Sequence, residues 1–444
     1  MEDLLGKAME LLRHFPLCDA CLGRQFAMLG YGLSNAERGR GLKTALFLLL
    51  DQELKSGSKE ALNDMRVLAE NGFFEPARQL LAKIGVEIPE SPESCFLCRG
   101  IMERVDELAE EVLEALSGYE FSTFLVGIRL PAEVEEREDQ LRAQYGLEHS
   151  EGLRNELSRE VGKRIARATG KQVEYRKPDI TIIVEPFTGL IELRVSPVFI
   201  AGRYRKLVRG IPQAKWICTR CGGRGCPRCN WQGKLYPTSV SELITEPIVE
   251  AFGGEGAAFH AAGREDIDAR MLGRGRPFVV EVKRPRKREV DLKALEALVN
   301  ERARGMVSVS GLKYVDRAFV RRMKAREAEK VYEVLVEFDR PVSDGELKAL
   351  EEALSGALIR QRTPTRVLHR RADKLRLKKV RELRAIERLG PCVVRFRITC
   401  DGGLYVKELV TGDGGRTTPS ISELIRAHAR PLELDVVDVL MEGV

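Results

Sequence analysis

The sequence predicts an α+β protein of several domains, with a helical N-terminal region, an α/β middle and a larger sheet-containing C-terminal unit. Three observations predict it. The chain has 444 residues, too many for one ordinary core, and its 43% hydrophobic and 32% charged content is that of a globular protein. The spacing of apolar residues changes along the chain, from helical near the start to alternating later. Eight of the ten cysteines fall in four C-x-x-C pairs, Cys18/Cys21, Cys95/Cys98, Cys218/Cys221 and Cys226/Cys229, which is metal-ligand spacing in a reducing compartment. No stretch approaches the roughly 18 apolar residues of a membrane span. The N-terminus is amphipathic and acidic, without a secretory pattern, so the expected location is cytoplasmic with no membrane contact.

Residues 1–101 read as helices, with Leu4, Leu5, Met9, Leu11 and Leu12 at helical spacing and further helices over 41–55 and 58–84. Two knuckles, around Cys18/Cys21 and Cys95/Cys98, each offer two thiolates on a tight turn, so together they suit one structural zinc site with four cysteine ligands. Residues 102–212 read as α+β, with helices over 102–117 and 152–169, strands over 121–129, 179–185 and 190–197, and a basic tail from Arg203 to Arg209. Residues 213–236 hold Cys218, Cys221, Cys226 and Cys229 around Gly222, Gly223 and Gly225, whose freedom to take left-handed turns lets amides point at sulfur. That is a four-cysteine zinc ribbon, either a structural clip or an RNA contact through Arg220, Arg224, Arg228 and Trp231.

Residues 237–444 form the largest segment: a helix over 240–252, a strand over 278–282, a basic loop from Lys283 to Arg288, a helix over 292–305, and an alternating strand over 329–338. From Arg360 to Arg381, ten Lys and Arg face a single acid, Asp373, which makes either a solvated helix face or an RNA-facing one. Cys392 and Cys400 bracket a further strand and read as inert core thiols.

The stretch around Gly263-Arg264-Glu265-Asp266-Ile267-Asp268 organises this segment. A strand, a Gly-led turn with an acid beside an arginine, then another strand presents one carboxylate on a rigid rim, and Arg264 or Arg270 within reach would aim it. The plain alternative is a solvated turn with a local salt bridge.

Taken together, these segments resemble one family, the archaeal and eukaryotic-type tRNA pseudouridine synthases of the TΨC arm. GRED at Asp266 resembles the G-R-x-D motif of pseudouridine synthases, EKVYEVLV their second motif, and GGLYVKELV with GDGGRTTP their third. QRTPTRVLHRRAD resembles a segment of the TΨC-arm branch, and KPDITIIVEP resembles a THUMP domain. Leu404 stands where the third motif more often has Thr, and Val334 where the second more often has Ala. The resemblance implies a THUMP-like RNA-binding domain over 102–212 and, over 237–444, a catalytic domain with a mixed, mainly antiparallel sheet. It implies isomerisation of uridine at position 54, 55 or both, by a monomer bound to tRNA, with structural zinc and no small-molecule or catalytic cofactor. Asp266 would be the nucleophile acting on a flipped-out base. Tyr332 would pack on the uracil, Tyr405 would line the pocket, Arg264 would hold the nucleotide or the acid, and Arg416 is a candidate to pair with Asp266.

Two rival readings come from the residues alone. Asp266 or Asp268 with Glu281 and Lys283 mimics the D…E-x-K pattern of a Mg-dependent nuclease. A zinc-bearing RNA-binding adaptor without catalysis is the other.

Overall fold

The computed structural model describes residues 4–87, 92–325 and 327–441; the chain ends assigned above to the first and last segments, 1–3 and 442–444, lie outside the described residues. The chain divides into two compact units, 1–196 and 197–444. No helix among the described residues is long and apolar enough to cross a membrane.

In the first unit, helices Leu4–His14, Asn35–Lys55, Lys59–Glu70 and Glu75–Lys83 pack on each other, then Val105–Ala115, Ala132–Tyr145 and Leu153–Thr169 pack with a four-stranded sheet. The strands are β1 (Thr123–Ile128), β2 (Gln172–Val173), β3 (Ile180–Glu185) and β4 (Leu190–Val195), in the order β2-β1-β3-β4, with β1 parallel to both neighbours. One apolar core runs from Ala8 to Val184 through both the helices and the sheet, so the regions 1–101 and 102–196 share a single interior. The helix 132–145 escaped the sequence reading because charges cover most of its surface and only Val134, Leu141 and Tyr145 supply an apolar stripe.

The second unit is built on a ten-stranded sheet. Its strands are β5 (Val198–Lys206), β6 (Gly256–Ala261), β7 (Arg270–Lys283), β8 (Val307–Val315), β9 (Glu329–Phe338), β10 (Leu358–Arg362), β11 (Leu375–Gly390), β12 (Val393–Cys400), β13 (Thr417–Thr418) and β14 (Ala429–Leu440). The order is β13-β10-β11-β12-β9-β14-β7-β5-β8, with β6 paired to β7. All these pairs are antiparallel except β14 with β7, where Asp435 faces Arg270 and Val436 faces Met271. The sheet is therefore mixed and mainly antiparallel. Tyr332, Val334, Val336 and Phe338 of β9 alternate into the core, as period 2 demands.

Two segments differ from their sequence readings. Arg203 to Lys206, read as part of a basic tail of the second segment, are the end of β5, which pairs with β7 and β8 inside this sheet, so the compact unit that holds them starts at 197, whereas the last segment expected from the sequence started at 237. The basic block 360–381 is β10, a 3-10 turn at Thr365–Arg370 and the start of β11, and no α-helix runs through it.

Candidate active site

The turn 262–269 between β6 and β7 is bonded from behind and open in front. Gly263 begins it at φ +89°, close to Arg276: a Cβ there would stand 2.9 Å from Arg276 Nη1 and 3.0 Å from Lys330 Nζ. Arg276 Nη1 donates to the Ala262 carbonyl at 2.8 Å. Glu265 is buried, taking Arg276 Nε at 3.0 Å and the Tyr204 hydroxyl at 2.8 Å on Oε2. Burial holds the Tyr204 phenol well above its usual range, so it stays neutral and donates. Lys206 Nζ donates to the carbonyls of Ile211, Asp266 and Ile267 at 2.8, 3.1 and 2.9 Å, and burial pushes that ammonium down to about 8. With Glu265 and the backbone tied down, Asp266 is presented to a cavity of about 770 Å³.

The cavity gathers side chains from distant parts of the unit. Tyr332 comes from β9, Tyr405 from the N-cap of the helix Val406–Thr411, and Lys407 from that helix. Arg366 comes from the 3-10 turn, Lys330 from β9, and Trp216 from the root of the cysteine ribbon. Arg366 Nη2 lies 3.2 Å and Lys407 Nζ 3.6 Å from Asp266 Oδ2. Lys407 also reaches Asp268 Oδ2 at 2.6 Å, and Arg366 Nε bonds Glu408 at 2.7 Å. Burial lifts the Tyr332 phenol well above its ordinary range. The Tyr405 hydroxyl accepts from Arg371 Nη1 at 2.8 Å, and Arg366 and Arg376 each sit 5.9 Å from its ring. Burial, then the neighbouring Arg276, pushes the Lys330 ammonium down to about 8.

Asp266, Arg264, Tyr332 and Tyr405 thus line one cavity. Arg264 is turned to Trp216, with its guanidinium carbon 5.5 Å from the indole. Arg416 is elsewhere: it bonds Asp373 at 2.6 Å and the Thr363 carbonyl at 2.9 Å, so it does not pair with Asp266. Arg270 pairs with Asp435 at 2.6 Å. The nuclease constellation does not assemble, because Glu281 lies outside the cavity lining, 3.0 Å from His260 Nε2 and 3.4 Å from Arg317. The sequence reading missed Arg366, Lys407, Lys330 and Trp216 as site residues. A signal existed for Lys407, two positions after Tyr405 in the third motif, and for Arg366, inside the QRTPTRVLHRRAD segment.

The eight paired cysteines form two clusters, Cys18/Cys21/Cys95/Cys98 and Cys218/Cys221/Cys226/Cys229, each with its sulfurs all within 4.8 Å of one another. Sulfurs tetrahedral about zinc, with bonds of about 2.3 Å, stand about 3.8 Å apart. Cys18 and Cys98 are 3.8 Å apart, Cys218 and Cys226 3.8 Å, and Cys221 and Cys229 3.9 Å. Amides point at the sulfurs, Cys18 N at Cys95 (3.4 Å) and Gly225 N at Cys221 (3.3 Å) among them, as thiolate ligands require. Gly222, Gly223 and Gly225 take φ of +58°, +93° and +93° to make this possible. Both clusters fit a tetrahedral, thiolate-bound metal.

Residues 199–440 match the family described as "Pus10, C-terminal", and residues 108–185 match "Pus10 THUMP domain, archaeal". The chain is 47% identical to a tRNA pseudouridine synthase Pus10 of Methanothrix thermoacetophila, over 98% of this chain and 94% of that one. It is 48% identical to the same-named protein of Thermofilum pendens, over 97% and 94%. To that of Pyrococcus furiosus it is 39% identical, over 98% of each chain. Among solved structures, a Cbf5-Nop10-Gar1 complex aligns with 43% of each chain at 18% identity and a TM-score of 0.28, a likeness too weak to argue from.

Proposed function

The chain belongs to the Pus10 family of tRNA pseudouridine synthases, and from that premise we propose that it converts uridine 54, uridine 55 or both in the TΨC loop, with Asp266 as nucleophile. In this isomerisation the C1′–N1 bond breaks, a C1′–C5 bond forms, C5 loses a proton and N1 gains one. Nothing is oxidised or transferred to a second molecule, so the reading needs no catalytic cofactor. The target base leaves its stack, at a cost of about a few kcal/mol, to bring its ribose to Asp266. Tyr332 and Tyr405 wall the uracil, and the neutral Tyr332 phenol is suited to relay the C5 proton rather than to keep it. Arg366 and Lys407 aim the carboxylate, and Arg264 faces the nucleotide's backbone.

One observation carries the reading: a carboxylate with two cations at one oxygen opens into a cavity that both motif tyrosines line. The choice of the TΨC arm is supported by the QRTPTRVLHRRAD segment, which supplies Arg366 to that cavity. The THUMP-like region and the basic strands would grip tRNA by shape and phosphate, the thiol clusters would hold structural zinc, and one copy of the chain suffices. Position-resolved pseudouridine mapping on an unmodified tRNA transcript tests the substrate. Modification at 54 or 55 supports the assignment, and modification confined to another arm overturns it. Glu281→Gln should leave the modification unchanged, which separates this reading from the nuclease.

A further inference from the structure

Catalysis as described leaves the cysteine ribbon without a function, and its attachment to the rest of the unit suggests one. The linker into it runs along the catalytic turn. Arg209 Nη1 donates to the Asp268 carbonyl at 2.7 Å, Gly210 N to the Ile267 carbonyl at 2.9 Å, and Gln213 Nε2 to the Gly263 carbonyl at 3.0 Å. Trp216 follows and carries the Arg264 guanidinium on its ring. The indole is fixed from the other side by Tyr236, the residue at which the chain leaves the ribbon, with centroids 5.5 Å apart at 88°. Leu235 N donates to the Trp216 carbonyl at 2.8 Å, Ile217 and Lys234 form a β-bridge, and Cys218 N donates to Gly233 O at 2.9 Å. An unbroken set of contacts therefore links the first thiol to the wall beside Asp266.

What holds that root together is the thiol cluster. The ribbon's buried cluster consists of Cys218, Cys221 and Cys229, with Cys226 against it. A loop whose core is its own ligands keeps its shape through the metal, since so little apolar surface is buried. Arg220, Arg228 and Trp231 are exposed, and Arg224 adds a single bond, Nε to the Cys221 carbonyl at 3.2 Å.

We propose that the ribbon positions the catalytic turn: its thiol-bound metal fixes the 216–236 root, which sets Trp216 under Arg264 at the cavity wall. Trp216 is a positioning residue acting through Arg264, and its consequence for turnover rests on Asp266 being the nucleophile.

The chain has two tryptophans, so Trp231→Phe leaves Trp216 as the sole emitter in the full-length protein. The metal is removed from the ribbon alone with Cys226→Ser, and separately with a chelator followed by added zinc. The proposal expects Trp216 emission to move to the red and its quenching by acrylamide to rise on metal loss, with zinc reversing the chelator's effect. It expects Trp216→Ala to keep its metal and its melting temperature yet lose about tenfold in single-turnover rate at saturating tRNA, the scale of a lost cation–π contact. Trp216→Phe should recover most of that loss. Unchanged Trp216 emission after metal loss overturns the proposal, as does a wild-type rate for metal-loaded Trp216→Ala. Weaker tRNA binding with an unchanged saturated rate also overturns it, in favour of a ribbon that grips RNA. If instead Asp266→Ala retains turnover, the nucleophile reading fails while the emission response stands.

Discussion

Asp266 shares its cations. Arg366 reaches its Oδ2 at 3.2 Å and Lys407 at 3.6 Å, and each gives a shorter contact to another acid, Arg366 to Glu408 at 2.7 Å and Lys407 to Asp268 at 2.6 Å. Arg366 is the nearer cation to the proposed nucleophile, and Arg366→Ala should lower the single-turnover rate by about 10- to 100-fold, the value of one close charge-assisted contact. Arg366→Lys should recover part of it; an unchanged rate in Arg366→Ala would assign the aiming to Lys407. Lys330 lies in the same wall and loses its proton near pH 8 in the folded chain, below the roughly 10.4 of a free lysine. Between those values only the unfolded state holds the proton, so Lys330 makes stability rise with pH over that window and works against folding below it. Lys330→Met should therefore raise the melting temperature at pH 7, with a gain that shrinks from pH 8 upward, while weakening tRNA binding; melts across pH with parallel binding measurements check both. The meeting of Asp266, Tyr332 and Tyr405 at one cavity was legible because each sits in a short motif. The partner of Asp266 was not. Arg416 turns to Asp373 while Arg366 faces the acid, and the segments that carry them meet through a long-range pairing, Arg360 with Thr418 and Gln361 with Thr417, that leaves no local pattern.

The turn between β6 and β7 depends on one backbone conformation. Gly263 combines a left-handed φ with Arg276 2.9 Å from where a Cβ would stand. Gly263→Ala should cost about 1–3 kcal/mol in a denaturant melt and slow turnover further by displacing the Arg276–Glu265 pair behind Asp266. A variant as stable and active as wild type would show that the turn tolerates another path. Strand–turn–strand at this place was legible, because apolar runs flank a glycine. β9 was legible too, because one of its faces is buried and the other is not. β5 was not: its first five residues, Val198 to Gly202, are all buried and show no alternation, and its basic end, with Arg203 and Arg205 facing outward in alternation with the buried Tyr204 and Lys206, looks like a tail. β11 has charges on both faces, which erases period 2 and leaves only a basic block.

The whole chain carries a net charge of +6, and Arg264, Lys330, Arg366, Arg371, Arg376 and Lys407 line the cavity. Affinity for tRNA should fall steeply with salt, by about 0.7–0.9 log units per log unit of salt for each phosphate neutralised, while the rate at saturating tRNA stays nearly constant. A flat salt dependence would point to base stacking, which an aromatic content of 6% makes hard to supply. The chain divides into two compact units, and that it exceeds one core was legible from its length. The common core of the helices and the first sheet was not, since long-range packing leaves no local pattern. The central claim, that Asp266 performs the chemistry, is tested most directly by comparing Asp266→Ala with wild type on one unmodified tRNA transcript, measuring affinity and single-turnover conversion in the same preparations. The account predicts tRNA binding of wild-type strength and no pseudouridine at any position. Pseudouridine formed by Asp266→Ala at a rate near that of wild type would contradict it.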